Sequence, residues 1–351
     1  MRLGRFANLI VAACLTGVMP RAAAAALLAP PLFGPRGVRP QDVRQGTLGS
    51  CYIDSVIAAL AARDPGLIRS SIQRNSDGTF TVRFPAGDTQ LVFPGDVRYA
   101  RRHGLDHSRA LWVGVLLRAY AQQVELQALT TALRQSGWPW FLRRQAIALV
   151  RNSPLALEAY DHAIRDAVTQ SGQVNPAALR QHWAAQAERL AVPGPIIQGI
   201  TSLLATAGFW RVLARSVRQN PEAYGAYRAV GNGGELTAAM TAFVGNARYI
   251  PVTEGMHLAA LLTQAQAQGW VVTAGSRPVL NPTHAAMFAP WWVGSHAYSM
   301  LSFDPIHQMI TLRNPWGRHP EPDGVQAMSL HDFSAAFLQI VIGKPGLVSV
   351  Q

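Results

Sequence analysis

The chain has little cysteine, almost no lysine and few acids. Two cysteines in 351 residues exclude a disulfide-stapled scaffold, and no pair of them stands at zinc-ligand spacing. Lys344 is the only lysine, so the formal net charge of +12 is nearly all arginine, set against 19 Asp and Glu. No basic run is longer than a pair (Arg101-Arg102, Arg143-Arg144), and no ladder of alternating aromatic and basic residues is present. That charge reads as spread over a solvated surface, and no nucleic-acid partner is expected. Also missing are His-Glu-x-x-His, Gly-x-x-x-x-Gly-Lys-Ser/Thr, Gly-x-Ser-x-Gly and an EF-hand loop. These absences argue against zinc proteolysis, a phosphate-binding loop, a serine nucleophile elbow and an EF-hand calcium sensor.

What is present is a globular composition, 49% hydrophobic and 14% charged, enough to bury a substantial core in two or three lobes. Arg2 and Arg5 precede the apolar stretch Phe6 to Met19, too short for a comfortable membrane span, and Arg21 to Ala26 offers a small-residue cleavage site. Residues 1–25 therefore read as a signal peptide, with export to the periplasm or the medium expected and no stable membrane span. Val11-Ala12-Ala13-Cys14 also matches a lipobox. Lipidation at Cys14 ranks second, because Leu15 to Met19 continues the apolar run. Once the leader is removed, Cys51 is the sole thiol, in a compartment that favours disulfides. A thiol kept free there points to chemistry rather than packing.

Cys51 opens a helical pattern. Ile53, Val56, Ile57 and Leu60 recur at the spacing of one buried face, Ser50 is the expected N-cap, Asp54 lies in the first turn, and Asp64-Pro65-Gly66 ends the run. A thiol at the positive end of a helix is expected to favour thiolate. Gln45, beyond two turn-forming glycines, is placed to return its amide beside the sulfur as an oxyanion donor with the Cys51 N–H. Far downstream, 293–303 reads as a strand, Asp304-Pro305-Ile306-His307 as a turn and 308–314 as the returning strand. Closing that hairpin sets His296 opposite position 315, one residue from Asn314, so an imidazole and a carboxamide should meet.

These segments resemble the calpain family of cysteine proteases. The carriers are Gln45-Gly46-x-Leu48-Gly49-x-Cys51, Gly78-Thr79-Phe80-Thr81-Val82-Arg83-Phe84, Trp112 with Leu116 and Ala119-Tyr120-Ala121, His296-Ala297-Tyr298-Ser299, and Leu312-Arg313-Asn314-Pro315-Trp316-Gly317. Ser50 and Tyr52 stand where the family more often has Asp and Trp. The resemblance implies Cys51 as nucleophile, His296 as general base and acid, Asn314 as the residue orienting it, Gln45 as oxyanion donor, and Trp316 as a cleft-bordering shield over the His-Asn pair. The family's acidic calcium-binding loops are not recognisable, which puts calcium activation in doubt. No cofactor or metal site is expected.

Between Ala121 and Tyr224, amphipathic patterns at 126–133, 140–150, 155–168 and 177–190, then an apolar stretch at 196–217, read as a helical insertion. Trp138, Trp140, Trp183 and Trp210 are taken as packing residues, and His103, His107, His257, His284 and His331 as structural or surface. The expected fold class is α+β, a two-lobed papain-like core plus that insertion. Residues 35–123 with 224–250 form the lobe carrying Cys51, 124–223 the insertion, and 251–351 the β-rich lobe carrying His296 and Asn314. The expected activity is peptide-bond hydrolysis by an exported thiol endopeptidase. A non-proteolytic binding module and an acyl or amide transferase on the same triad are the alternatives.

Overall fold

The computed structural model describes residues 30–85, 89–134, 154–167, 175–204, 226–253, 258–288, 291–318 and 322–345, with 140, 141, 144, 147 and 148. The leader with Cys14, Trp138, Trp210, His257, most of the expected 140–150 helix and the end of 196–217 lie outside the described residues. Among these residues twelve α-helices and nine strands follow in chain order: α1 Cys51–Arg63, α2 Pro65–Ser71, β1 Ile72–Arg74, β2 Phe80–Arg83, β3 Thr89–Val92, α3 Pro94–Arg102, α4 Leu111–Arg134, α5 Pro154–Ala167, α6 Pro176–Arg189, α7 Gly194–Leu204, α8 Tyr227–Val230, α9 Leu236–Val244, β4 Arg248–Pro251, α10 Leu258–Ala267, β5 Val271–Ser276, α11 Pro282–Phe288, β6 Ala297–Asp304, β7 Met309–Arg313, β8 Val325–Ser329, α12 Leu330–Ala336 and β9 Phe337–Gly343. No described helix is long and apolar enough to cross a membrane.

The architecture is α+β. One sheet is β1-β2-β3, the other is β4-β9-β5-β6-β7-β8, and every pairing in both is antiparallel. Three apolar clusters form. The first surrounds α1, with Trp112, Leu116, Tyr227 and Phe243, and reaches Val271, Ala297 and Val341 of the larger sheet. The second joins α5, α6 and α7 through Ala159, Ile164, Leu179 and Trp183. The third lies on the opposite face of the larger sheet under α10 and α12.

α1 departs from the one-faced helix its periodicity suggests. Every residue from Tyr52 to Ala61 is buried, because the helix is enclosed by the larger sheet on one side and by α4 and α9 on the other. Ala58, Ala59 and Ala61 are small enough to permit that enclosure. Gly49, just before it, is required by close approach: its N–H reaches Gly231 O at 2.7 Å, and a Cβ there would stand 2.6 Å from that oxygen. The helix stops at Arg63, and Asp64 caps the next one by accepting from Leu67 N–H at 2.8 Å.

The β6–β7 hairpin runs two residues out of the expected register at its turn, where Asp304 faces Met309. The Asp304 carboxylate accepts from Ile306 N–H, His307 N–H and His307 Nδ1, which sets a four-residue turn at 305–308, one position further along than expected. A bulge between Met300 and Ser302 takes one residue back.

Candidate active site

Cys51 is the first residue of α1. Ser50 occupies the N-cap position but makes no capping bond there; its hydroxyl donates to the Asp54 carboxylate at 2.6 Å. The backbone amide of Ala297, next to His296, faces the sulfur and favours its charged form, as do those of Tyr52 and Cys51 itself. The helix of Cys51 and the strand after His296 are locked together nearby, where Ser299 Oγ donates to Ser55 O at 2.8 Å.

His296 sits at the mouth of β6, buried. Its Nε2 lies 3.0 Å from Asn314 Oδ1. The same Oδ1 is 3.0 Å from Trp316 N–H, which can only donate, so the atom facing the ring is the carbonyl oxygen. Nε2 must therefore carry the proton, and in the neutral ring Nδ1 keeps its lone pair. The Trp316 indole, 39% exposed, covers the imidazole with ring centroids 5.1 Å apart. Asn314 is held from behind, its N–H donating to Gly324 O at 2.8 Å. Gly317 closes this turn at φ +63, a conformation costly for a side chain, and a Cβ there would press on Arg44 Cγ at 2.8 Å.

Gln45 is nearly buried and joined to the same loop, its N–H donating to Pro315 O at 2.9 Å. Its amide does not meet the sulfur in this state. Nε2 donates to Leu48 O at 2.6 Å, and Oε1 is buried without a hydrogen-bond partner. The structure thus brings Cys51, His296, Asn314 and Trp316 to one locus, with the Gln45 amide turned toward its own loop.

The electrostatics depart from the expected thiolate. Burial pushes the Cys51 thiol up, outweighing the Ala297 amide that lowers it, and the Asp54 carboxylate raises it further. Burial likewise pushes His296 down to about 4 against the opposing Asn314 bond. The resting pair is neutral thiol and neutral imidazole. The helix end is offset by the acid one turn along, itself raised to about 7 by burial.

Three supporting residues escaped the sequence reading. Ser276 Oγ donates to Val293 O at 2.6 Å and accepts from His296 N–H at 2.9 Å. Tyr298 packs its ring edge-on against His296, 5.1 Å between centroids, while its hydroxyl accepts from Val293 N–H at 2.7 Å and donates to Trp291 O at 3.3 Å. Tyr298 and Ser299 had a signal in the His-Ala-Tyr-Ser run; Ser276 had none.

A second polar cluster also went unread. Arg118 of α4, fully buried, reaches Asp96 of α3 at 3.2 Å and Glu158 of α5 at 3.1 Å, and also pairs with Asp161 of α5. His162 Nε2 lies 2.7 Å from Glu158 and 3.5 Å from Asp96. Among the described residues, Asp96, Glu158 and His162 are the one group able to surround a metal ion. The fit is poor. Arg118 already supplies positive charge to both carboxylates, and Arg189 Nη2 stands 3.1 Å from His162 Nδ1, where a metal-bound imidazole would need its own N–H. The signal was Glu158 and His162 at i, i+4 on one helix face.

No family model matches the chain, and no curated protein sequence matches it. Among solved structures, PepW from Lactobacillus rhamnosis is similar at 12% identity and a TM-score of 0.32, over 98% of this chain and 89% of that one. A likeness of that size carries no argument about fold or chemistry.

Proposed function

We propose that this chain is a calpain-like thiol endopeptidase on a two-lobed papain-like core, exported and acting on protein or peptide substrates. One observation carries the reading: at the first turn of α1 the Cys51 sulfur lies beside the amide of Ala297, the residue that follows an imidazole whose Nε2–H is pinned by Asn314. A thiol, a base in the right tautomer and an orienting amide are the parts of a nucleophilic acyl-transfer site.

With both groups neutral at rest, the thiol proton passes to His296 Nδ1 as the sulfur attacks the peptide carbonyl. The imidazolium so formed is stabilised by the Asn314 oxygen. The Cys51 N–H and the second Nε2 hydrogen of Gln45 are assigned as the oxyanion donors, the Gln45 amide having to turn from Leu48 O to serve. Collapse breaks the C–N bond, His296 returns the proton to the leaving amine, and water, deprotonated by the same ring, releases the acyl enzyme. Trp316 keeps bulk water from the His296–Asn314 bond.

The test is labelling of the intact protein by a thiol-reactive peptidyl inhibitor, alongside cleavage of a peptide library. Labelling at Cys51 with cleavage supports the proposal. Cys51→Ala should lower cleavage at least ~10⁴-fold with little change in melting temperature. A second reading, a non-proteolytic binding module, is favoured by the Gln45 amide bound to Leu48 O rather than aimed at sulfur. Labelling without cleavage would select it, and added amine nucleophiles would reveal acyl transfer in the product masses.

A further inference from the structure

Away from the candidate active site, the segment 30–37, the turn before α4 and the end of α3 enclose a cavity of about 310 Å³. Its lining includes Arg36, Arg39, Arg101 and Arg109 but a single carboxylate, Asp42. That carboxylate is already engaged, accepting from Arg39 N–H at 3.1 Å, Arg39 Nη2 at 3.4 Å and Trp112 Nε1 at 3.3 Å. Arg101 donates to Ala110 O at 2.6 Å and lies 3.8 Å from the buried Asp106. Arg36 is exposed and has no acceptor among the described residues, and Arg39 Nε is buried without one. Leu111, also on the wall, opens the 24-residue α4, whose dipole adds to a positive field already set by the guanidinium groups.

With the lining carboxylate spent, the Arg36 fork and Arg39 Nε are left as donors without a protein acceptor among the described residues. We propose that this cavity binds a phosphate-class oxyanion, held by the Arg36 fork, Arg39 Nε and Arg109. Guanidinium forks match tetrahedral oxyanions bidentately, and proline-restricted walls hold the forks in place at low entropic cost. The site also touches the loop behind Asn314. Arg109 now pairs with Asp323 at 3.1 Å, and Arg44 with the same oxygen at 3.5 Å. Asp323 immediately precedes Gly324, whose carbonyl holds Asn314 N–H. An anion that recruits Arg109 competes with Asp323 and so acts on the support of Asn314. This assignment does not depend on the proposed proteolysis.

The experiment is calorimetric titration of the full chain with inorganic phosphate and, separately, with O-phosphoserine at constant ionic strength, with melting curves in parallel. Saturable binding and a melting temperature that climbs with ligand concentration are expected. Tighter inorganic phosphate assigns the site to the free ion, and tighter O-phosphoserine to a phosphoryl group on a larger molecule. Arg36→Glu, which breaks no hydrogen bond or ion pair among the described residues, should weaken binding ~10-fold or more. Arg83→Glu, the same charge change on exposed β2, should leave it within about twofold. Asp323→Asn, which releases Arg109, should tighten it. No saturable binding, equal weakening by Arg36→Glu and Arg83→Glu, or weaker binding in Asp323→Asn would each overturn the proposal.

Discussion

His296 and His162 are both largely buried beside side-chain oxygens, yet burial drives the first down to about 4 while Asp96 and Glu158 offset burial and pull the second up to about 9. The neighbours explain the difference. His296 meets one neutral carboxamide and keeps an unused lone pair; His162 meets two carboxylates inside a knot that Arg118 also serves. A buried polar cluster with spare capacity can exchange protons with a substrate. A cluster whose charges are already paired holds helices together instead. Here the charge-paired knot ties α3, α4 and α5, and the neutral pair lies where α1 meets β6.

That contrast can be broken by mutation. The largest expected effect on stability is at the knot: Arg118→Met leaves Asp161 without its Arg118 partner and Asp96 and Glu158 with His162 alone, and should cost about 3–5 kcal/mol in denaturant melts. Inhibitor labelling at Cys51 in the folded fraction should stay within about twofold, since the clusters share no partner. Loss of labelling in proportion to stability would merge the two regions into one.

Next is the acid limb of stability. The His296 pKa falls from its ordinary 6.5 to about 4 on folding, so the unfolded chain takes up the proton first. The stability this group contributes is complete above pH ~6.5 and falls by about 3 kcal/mol as pH drops toward 4. His296→Asn should flatten that limb. His162 has the opposite sign: its raised pKa makes its contribution complete below pH ~6.5 and lost as pH climbs through about 9. His162→Gln should flatten the alkaline limb while leaving the acid limb unchanged.

The smallest effect is at a supporting hydroxyl. Ser276→Ala leaves His296 N–H without its side-chain acceptor and Val293 O without its donor, and should cost about 1–3 kcal/mol. Labelling at Cys51 should slow more than this stability loss accounts for, because the imidazole loses its anchor. A labelling rate unchanged from the parent would make Ser276 purely structural.

Much of the secondary structure was legible because its signals are local. α5 and α6 fall within a residue of their predicted starts. The second is capped by Asn175, whose side chain accepts from Ala177 and Ala178 N–H, with Pro176 at the first helical position. The start of α1 at Cys51 was legible for similar reasons, and so was the meeting of His296 with Asn314, which a short hairpin enforces. The hairpin register was missed, because an Asx turn shifts it by two residues and a bulge restores only one. The enclosure of α1 on all sides was missed because alanines carry no periodic signal.

The chain's own order of residues settled the helix beginning at its thiol and the closeness of imidazole to carboxamide, since each depends on contacts within a helix or a single hairpin. Only the packed molecule decided that the thiol rests protonated, that the Gln45 amide turns away, and that Arg118 gathers three acids from two other helices. Those outcomes depend on how much water each group loses and on which charges other segments bring to it, quantities that exist only once the segments are assembled.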